Sequence, residues 1–146
     1  LHLWRAGWDL PRVERLLFQE SGLKGVSGLS ADMRILRASP LPEAQQAIAL
    51  FTHRVRRECG AMLAVLGGLD LMAFTGGIGE HDAVLRAEVA ASLQFAGVHL
   101  DAAANQAARG DAVLPIHSAD SAVEVWVVPT DEGRVAAQAA FALLAG

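Results

Sequence analysis

Residues 69–86 read LDLMAFTGGIGEHDAVLR, and this stretch limits the fold more than any other. An apolar run, Leu71-Met72-Ala73-Phe74, stops at Thr75. Gly76, Gly77 and Gly79 follow, then Glu80, His81 and Asp82, then a helical pattern from Ala83 to Ala96. A short apolar run closed by turn residues reads as a buried strand. The order is therefore strand, bare-backbone turn and helix start. Glycines let backbone N–H groups approach a ligand without Cβ interference. The helix start behind them favours anions, because its first N–H groups are unpaired and its peptide dipoles sum there.

A second strand, Ala122 to Val128, ends at Pro129, and Thr130-Asp131-Glu132 opens a final helix with Val135, Ala139 and Leu143 as its buried stripe. Between the two strands the sequence predicts a helix burying Leu85, Val89 and Leu93 and exposing Arg86, Glu88 and Gln94. A short helix over residues 101–109 and a short strand over 113–116 follow, the latter confined to an edge by Pro115. Strands alternating with helices indicate α/β layering with helices covering a sheet. Two firm strands do not make an independently stable sheet, so the sequence reads as an incomplete domain. It opens on Leu1 rather than Met, which reads as other than a natural translation start.

Ahead of the glycine turn the pattern is helical. Asp9 caps a helix with Pro11 in its first turn and Leu10, Val13, Leu16 and Leu17 on one face, ended by Ser21-Gly22. Residues 25–34, GVSGLSADMR, make a turn in which Ser30 caps a short helix holding Asp32 and Arg34. Taken alone this is a connector with an exposed ion pair. From Pro42 to Leu66, Ala44, Ile48, Phe51, Val55, Cys59, Met62 and Leu66 form one apolar stripe that calls for a sheet or helix against it.

Composition narrows the function. Over 146 residues, 53% are hydrophobic and 19% charged, and the formal net charge is −4. Lys24 is the only lysine and no basic block occurs, so the footprint of a nucleic-acid binder is missing. No apolar stretch approaches the roughly 20 residues of a membrane helix. The lone Cys59 excludes an internal disulfide and a cysteine metal cluster, and reads as an inert thiol. His2, His53, His99 and His117 lack metal-ligand spacing.

The chemistry sits at two strand ends of one design. Thr75 to Glu80 and Thr130 to Glu132 each place a threonine and an acid between a strand and a helix. Ligands of open α/β sheets bind off the carboxyl ends of strands. If the strands are parallel, Glu80, Asp131 and Glu132 face a cation, and the glycines face a phosphate or nucleoside. Asp82 stands where G-x-G-x-x-G needs its third glycine, no Gly-Lys-Ser/Thr follows, and no GxSxG elbow exists. The residues alone leave two readings open, a nucleotide or phosphate site and a tight turn with capping acids. Arg86, one helical turn on, is placed to reach a phosphate or to pair with Glu80.

Three segments go further. Residues 20–34, ESGLKGVSGLSADMR, resemble the SGL-x-G-x-SG-x-S-x-D-x-R segment of the acetate kinase family. Residues 74–80, FTGGIGE, resemble that family's FTGGIGEN turn, and Thr130-Asp131-Glu132 resembles its TNEE segment. The order and spacing are compatible from about Asp9 to the C-terminus. The resemblance implies the C-terminal part of a sugar kinase/Hsp70/actin-like (ribonuclease H-like) domain, with residues 1–146 the nucleotide-binding portion of a two-domain, cytoplasmic, homodimeric carboxylate kinase. Such enzymes reversibly transfer the γ-phosphoryl group of ATP to acetate, giving acetyl phosphate and ADP, with Mg²⁺ present. It further implies that Asp32, Met33 and Arg34 line the nucleoside pocket, that Gly77, Ile78, Gly79, Glu80 and His81 contact the nucleotide from the other side, and that Glu132 bears on the magnesium.

There are departures. His81 and Asp131 stand where the family has asparagine, and Gly133 replaces the second acid. The family's carboxylate pocket, its catalytic residues and its main phosphate loop all lie earlier in its sequence than anything here. The resemblance therefore implies no catalytic residue in this chain and no kinase activity from it alone. The helix from Pro42 to Leu66 would suit a subunit or domain contact. The alternative function is a non-catalytic remnant that binds nucleotide or a partner protein.

Overall fold

The computed structural model describes residues 1–144, apart from the side chains of Glu132 and Val135. The chain forms two compact units, Leu1–Glu58 and Cys59–Gly146.

The first unit is helical. Helix α1 is His2–Arg5, α2 Leu10–Gln19, α3 Gly22–Ser27 and α4 Met33–Ala38, and the unit boundary falls within α5, Pro42–Leu66. Asp9 caps α2 as the sequence predicts, accepting from Arg12 N at 3.0 Å, and Arg12 stacks on the Trp8 ring at 3.8 Å. Ser21-Gly22 ends α2 but also opens α3, with Gly22 at φ +61°. The cap of α4 is Asp32 rather than Ser30. Ser30 Oγ, two residues upstream, accepts the Asp32 N–H at 3.0 Å. The α5 stripe is covered only in its first half. Ala44, Ala47, Ile48 and Thr52 are buried, whereas Met62 and Leu66 are exposed. Periodicity shows which face wants cover; it does not say that the same chain supplies it.

The second unit holds the sheet. Strand β1 is Leu71–Phe74, β2 Leu114–Pro115 and β3 Glu124–Val127, in the order β1-β3-β2. β1 and β3 are parallel, with Leu71 opposite Glu124 and Phe74 opposite Val127. β2 runs antiparallel on the other side of β3, so Pro115 lies in an edge strand, where its missing N–H is tolerated. The helices are α6 Gly76–His81, α7 Ala83–Ala91, α8 Ala102–Ala107 and α9 Glu132–Leu144. Leu85, Val89, Leu93, Val98, Ile116, Val123, Val125 and Val127 are buried.

Three expectations fail here. β1 is not a buried strand: Phe74 alone of its four residues is buried, and Leu71 and Ala73 are exposed. Arg86 is fully buried, not exposed. Its donors all find oxygen partners, which offsets part of the penalty for burying a cation, though burial still pushes the guanidinium pKa down. The α9 stripe is not buried either: Ala139 and Leu143 are exposed, and the side chain of Val135 lies outside the described residues. No helix among the described residues is long and apolar enough to cross a membrane.

Candidate nucleotide site

The parallel pairing of β1 and β3 brings both strand-end turns to one end of the sheet. The ladder's last bond runs from Val128 N to Phe74 O at 2.8 Å. Thr75 then stays extended, and Gly76, at φ +71°, turns the chain in a conformation that disfavours side chains. The next residues are helical at once, so the glycines do not precede the helix but form a first short one, α6. Asp82 caps the second, accepting from Leu85 N at 2.9 Å. Within α6, Gly77 has open space where a Cβ would stand, with nothing within 4 Å. Gly79 instead backs onto β1, its Cβ position 3.4 Å from the Phe74 carbonyl carbon.

Glu80 is buried and its Oε1 accepts three bonds: from Gly76 N at 2.8 Å, Thr130 N at 2.9 Å and Thr130 Oγ1 at 2.8 Å. The Thr130 N–H and hydroxyl, followed by the Gly76 N–H, hold its carboxyl below the ordinary glutamate range against the opposing effect of burial. Behind it stands Gly110, at φ +75°, where a Cβ would come within 2.8 Å of both Glu80 Cβ and His81 Cε1. His81 itself is exposed.

Arg86 is buried with its donors taken by oxygens other than the Glu80 carboxylate. Its Nη1 donates to the carbonyls of Gly79 and Glu80 at 2.9 and 2.8 Å. Nε donates to Asn105 Oδ1, and Nη2 to the carbonyls of Asn105 and Ala108. Asn105 returns to α7 through Nδ2, which donates to Ala83 O at 2.8 Å. The sequence reading missed Asn105 as part of this network. The available signal was a polar side chain inside the alanine-rich stretch 102–108.

Asp32, Met33 and Arg34 belong to the first unit. Asp32 Oδ1 accepts from Arg34 N at 2.9 Å and Nε at 3.1 Å, and Oδ2 accepts from Nη2 at 2.6 Å. This bonding, the Arg34 side chain first, lowers the Asp32 pKa to about 2. Met33 is buried, and the Arg34 side chain is 87% exposed. An exposed pair of this kind adds little stability, and Arg34 stays accessible to a ligand.

The side chain of Glu132, expected at the magnesium, lies outside the described residues. Asp131 beside it is exposed and caps α9, accepting from Arg134 N at 3.0 Å. Among the described residues, no group of three or more His, Cys, Asp or Glu could hold a metal ion. Cys59 is half-buried, and burial pushes its thiol up, in keeping with an inert role.

The acetokinase family model matches residues 3–138. Acetate kinase of Rhodopseudomonas palustris (strain TIE-1) is 48% identical over 134 residues, covering 92% of this chain and 33% of that protein. Acetate kinase of Methylocella silvestris is 49% identical over 132 residues, covering 90% and 32%. The chain thus spans about a third of the length of these relatives. The crystal structure of Porphyromonas gingivalis acetate kinase matches with a TM-score of 0.83 at 32% identity, over 97% of this chain and 36% of that one. A propionate kinase from Francisella tularensis matches with a TM-score of 0.72 at 31% identity, over 87% and 32%. The small sheet flanked by helices is accordingly part of an actin-like α/β fold, as the resemblance implies. By the extent of the family match and the agreement of its structural neighbours, this chain belongs to the acetokinase family.

Proposed function

We propose that this chain supplies the nucleotide-side portion of a short-chain carboxylate kinase, which reversibly moves the γ-phosphoryl group of ATP to acetate. The observation that carries the reading is the open backbone at Gly77, at the carboxyl end of β1 beside parallel β3, in a chain of the acetokinase family. In this reading Gly77, Ile78, Gly79, Glu80 and His81 belong to the adenine-nucleotide site, and Asp32, Met33 and Arg34 contribute to nucleoside binding. Residues 1–146 are the C-terminal portion of a two-domain cytoplasmic enzyme that works as a homodimer.

Magnesium would be held through Glu132. The exposed Asp131 carboxylate beside it fits the role, since Mg²⁺ bound with nucleotide needs only one or two protein carboxylates and keeps most of its waters. The ion would neutralise charge on the phosphates. No carboxylate-acceptor site or general phosphoryl-transfer machinery is assigned to this chain, and phosphoryl transfer depends on positioning and charge stabilisation of the moving group. The isolated chain, given ATP, Mg²⁺ and acetate, is expected to form no acetyl phosphate above a no-enzyme control. Measurable formation would contradict the assignment of the acceptor side to other parts of the enzyme.

A second reading, a non-catalytic nucleotide- or partner-binding module, draws on the exposed Trp4, Phe18, Phe95 and Phe141. The two separate on completion. Supplied with the N-terminal portion of a related acetate kinase, an enzyme fragment gains activity and a binding module does not.

A further inference from the structure

We propose that Glu80 is a positioning residue: through one carboxylate oxygen it ties the turn that opens α6 to the turn that opens α9, and so sets where residues 130 and 131 stand. The consequence for magnesium rests on the nucleotide reading above; the tie itself does not.

Three donors, one from Gly76 and two from Thr130, the latter 50 residues along the chain from Glu80, converge on Glu80 Oε1 within 2.9 Å. Backbone pairing of β1 with β3 ends at Val128. Two residues later the chain has left the ladder, and Glu80 holds it by both the N–H and the hydroxyl of Thr130. An ionised carboxylate accepts such bonds more strongly than a neutral group would.

The residue cannot swing toward a ligand cheaply. Its own carbonyl and that of Gly79 are gripped by buried Arg86. Its Cβ is backed by Gly110, where no side chain fits. Turning the carboxylate outward breaks three bonds and leaves the Gly76 N–H at a helix start without its acceptor. The Glu80 carboxylate would therefore act on a nucleotide in this site through the Thr130–Asp131 turn rather than as a ligand itself.

Amide hydrogen exchange on the full 146-residue chain tests the tie. Glu80→Ala is expected to abolish protection at Thr130 and Gly76 while the Val128 ladder amide, the control for folding, stays protected. Glu80→Gln, which keeps an oxygen acceptor, is expected to restore part of it. Unchanged Thr130 exchange in Glu80→Ala would overturn the proposal.

ADP titrations with Mg²⁺ and with chelator then test the consequence. Glu80→Ala and Thr130→Val are each expected to weaken Mg²⁺-dependent binding by roughly three- to tenfold and chelated binding little, with the double variant no worse than the weaker single. Equal loss in both conditions for Glu80→Ala, with none for Thr130→Val, would make Glu80 a direct ligand and overturn the proposal. Absence of ADP binding by the unmodified chain would overturn the nucleotide reading, and the exchange experiment would still decide the tie.

Discussion

Arg86 donates to both the side-chain and main-chain oxygens of Asn105, each at 2.7 Å, across 19 residues of sequence. With the carbonyls of Gly79, Glu80 and Ala108, this pair closes α8 onto the helix pair that carries the glycine turn. A cation so placed serves the fold, by satisfying carbonyl groups at helix ends that have no partner of their own.

Arg86→Met is expected to cost on the order of 3–5 kcal/mol, because it strands several buried oxygens at once. Arg86→Lys should lose most of the same amount, since an ammonium cannot reproduce the planar fork. Urea unfolding measures both. A loss below about 1 kcal/mol for Arg86→Met would show that these bonds do not hold the unit together.

Gly110→Ala combines a left-handed backbone with a Cβ that meets Glu80 and His81 at 2.8 Å. The expected destabilisation is roughly 2–4 kcal/mol, from backbone strain and overpacking together. Because the contact is with Glu80, the Thr130 amide should lose exchange protection in the same variant. A neutral substitution would contradict this packing.

Acid should weaken the chain chiefly at Glu80, with only a small contribution from the exposed Asp32. Asp32 and Glu80 both have lowered folded-state pKa values, so the unfolded chain binds more protons at low pH and stability falls as pH falls. The Asp32 contribution is complete above its unfolded value near 3.8 and is lost as pH drops through about 2. The Glu80 contribution is lost as pH falls below 4.5. Thermal unfolding at a series of acid pH values should show a shallower decline for Glu80→Gln and little change for Asp32→Asn, whose ion pair is exposed and screened by solvent. A Glu80→Gln curve parallel to that of the unmodified chain would contradict the assignment.

The parts of this molecule that repeat were legible from residues alone. Apolar runs with terminal glycine and proline located β1, β3 and the edge strand at Pro115. The Asp9 cap and the buried Leu85, Val89 and Leu93 followed from spacing. Spacing puts Arg86 on the solvent side because a charged residue on a helix is normally solvated, and only tertiary carbonyls allow its burial. The glycine segment was read as a turn because glycine is a poor helix former. The Glu80 bond to Gly76 N, made within the motif, and the Arg86 grip on the Gly79 and Glu80 carbonyls favour the helical form, and glycine content alone signals neither bond. The stripes of α5 and α9 were correctly seen as apolar, but a stripe carries no information about which chain covers it.

The most direct test of the central claim is an equilibrium titration of the folded chain with ADP, beside Gly77→Ala. Nothing stands within 4 Å of the added methyl group, so Gly77→Ala should fold as well as the unmodified chain or slightly better, by about 0.4–1 kcal/mol. The account predicts saturable ADP binding by the unmodified chain at millimolar concentrations or below, in the range of about 4 kcal/mol or more of binding free energy, and clearly weaker binding by Gly77→Ala. No binding by a folded sample at millimolar ADP would contradict it.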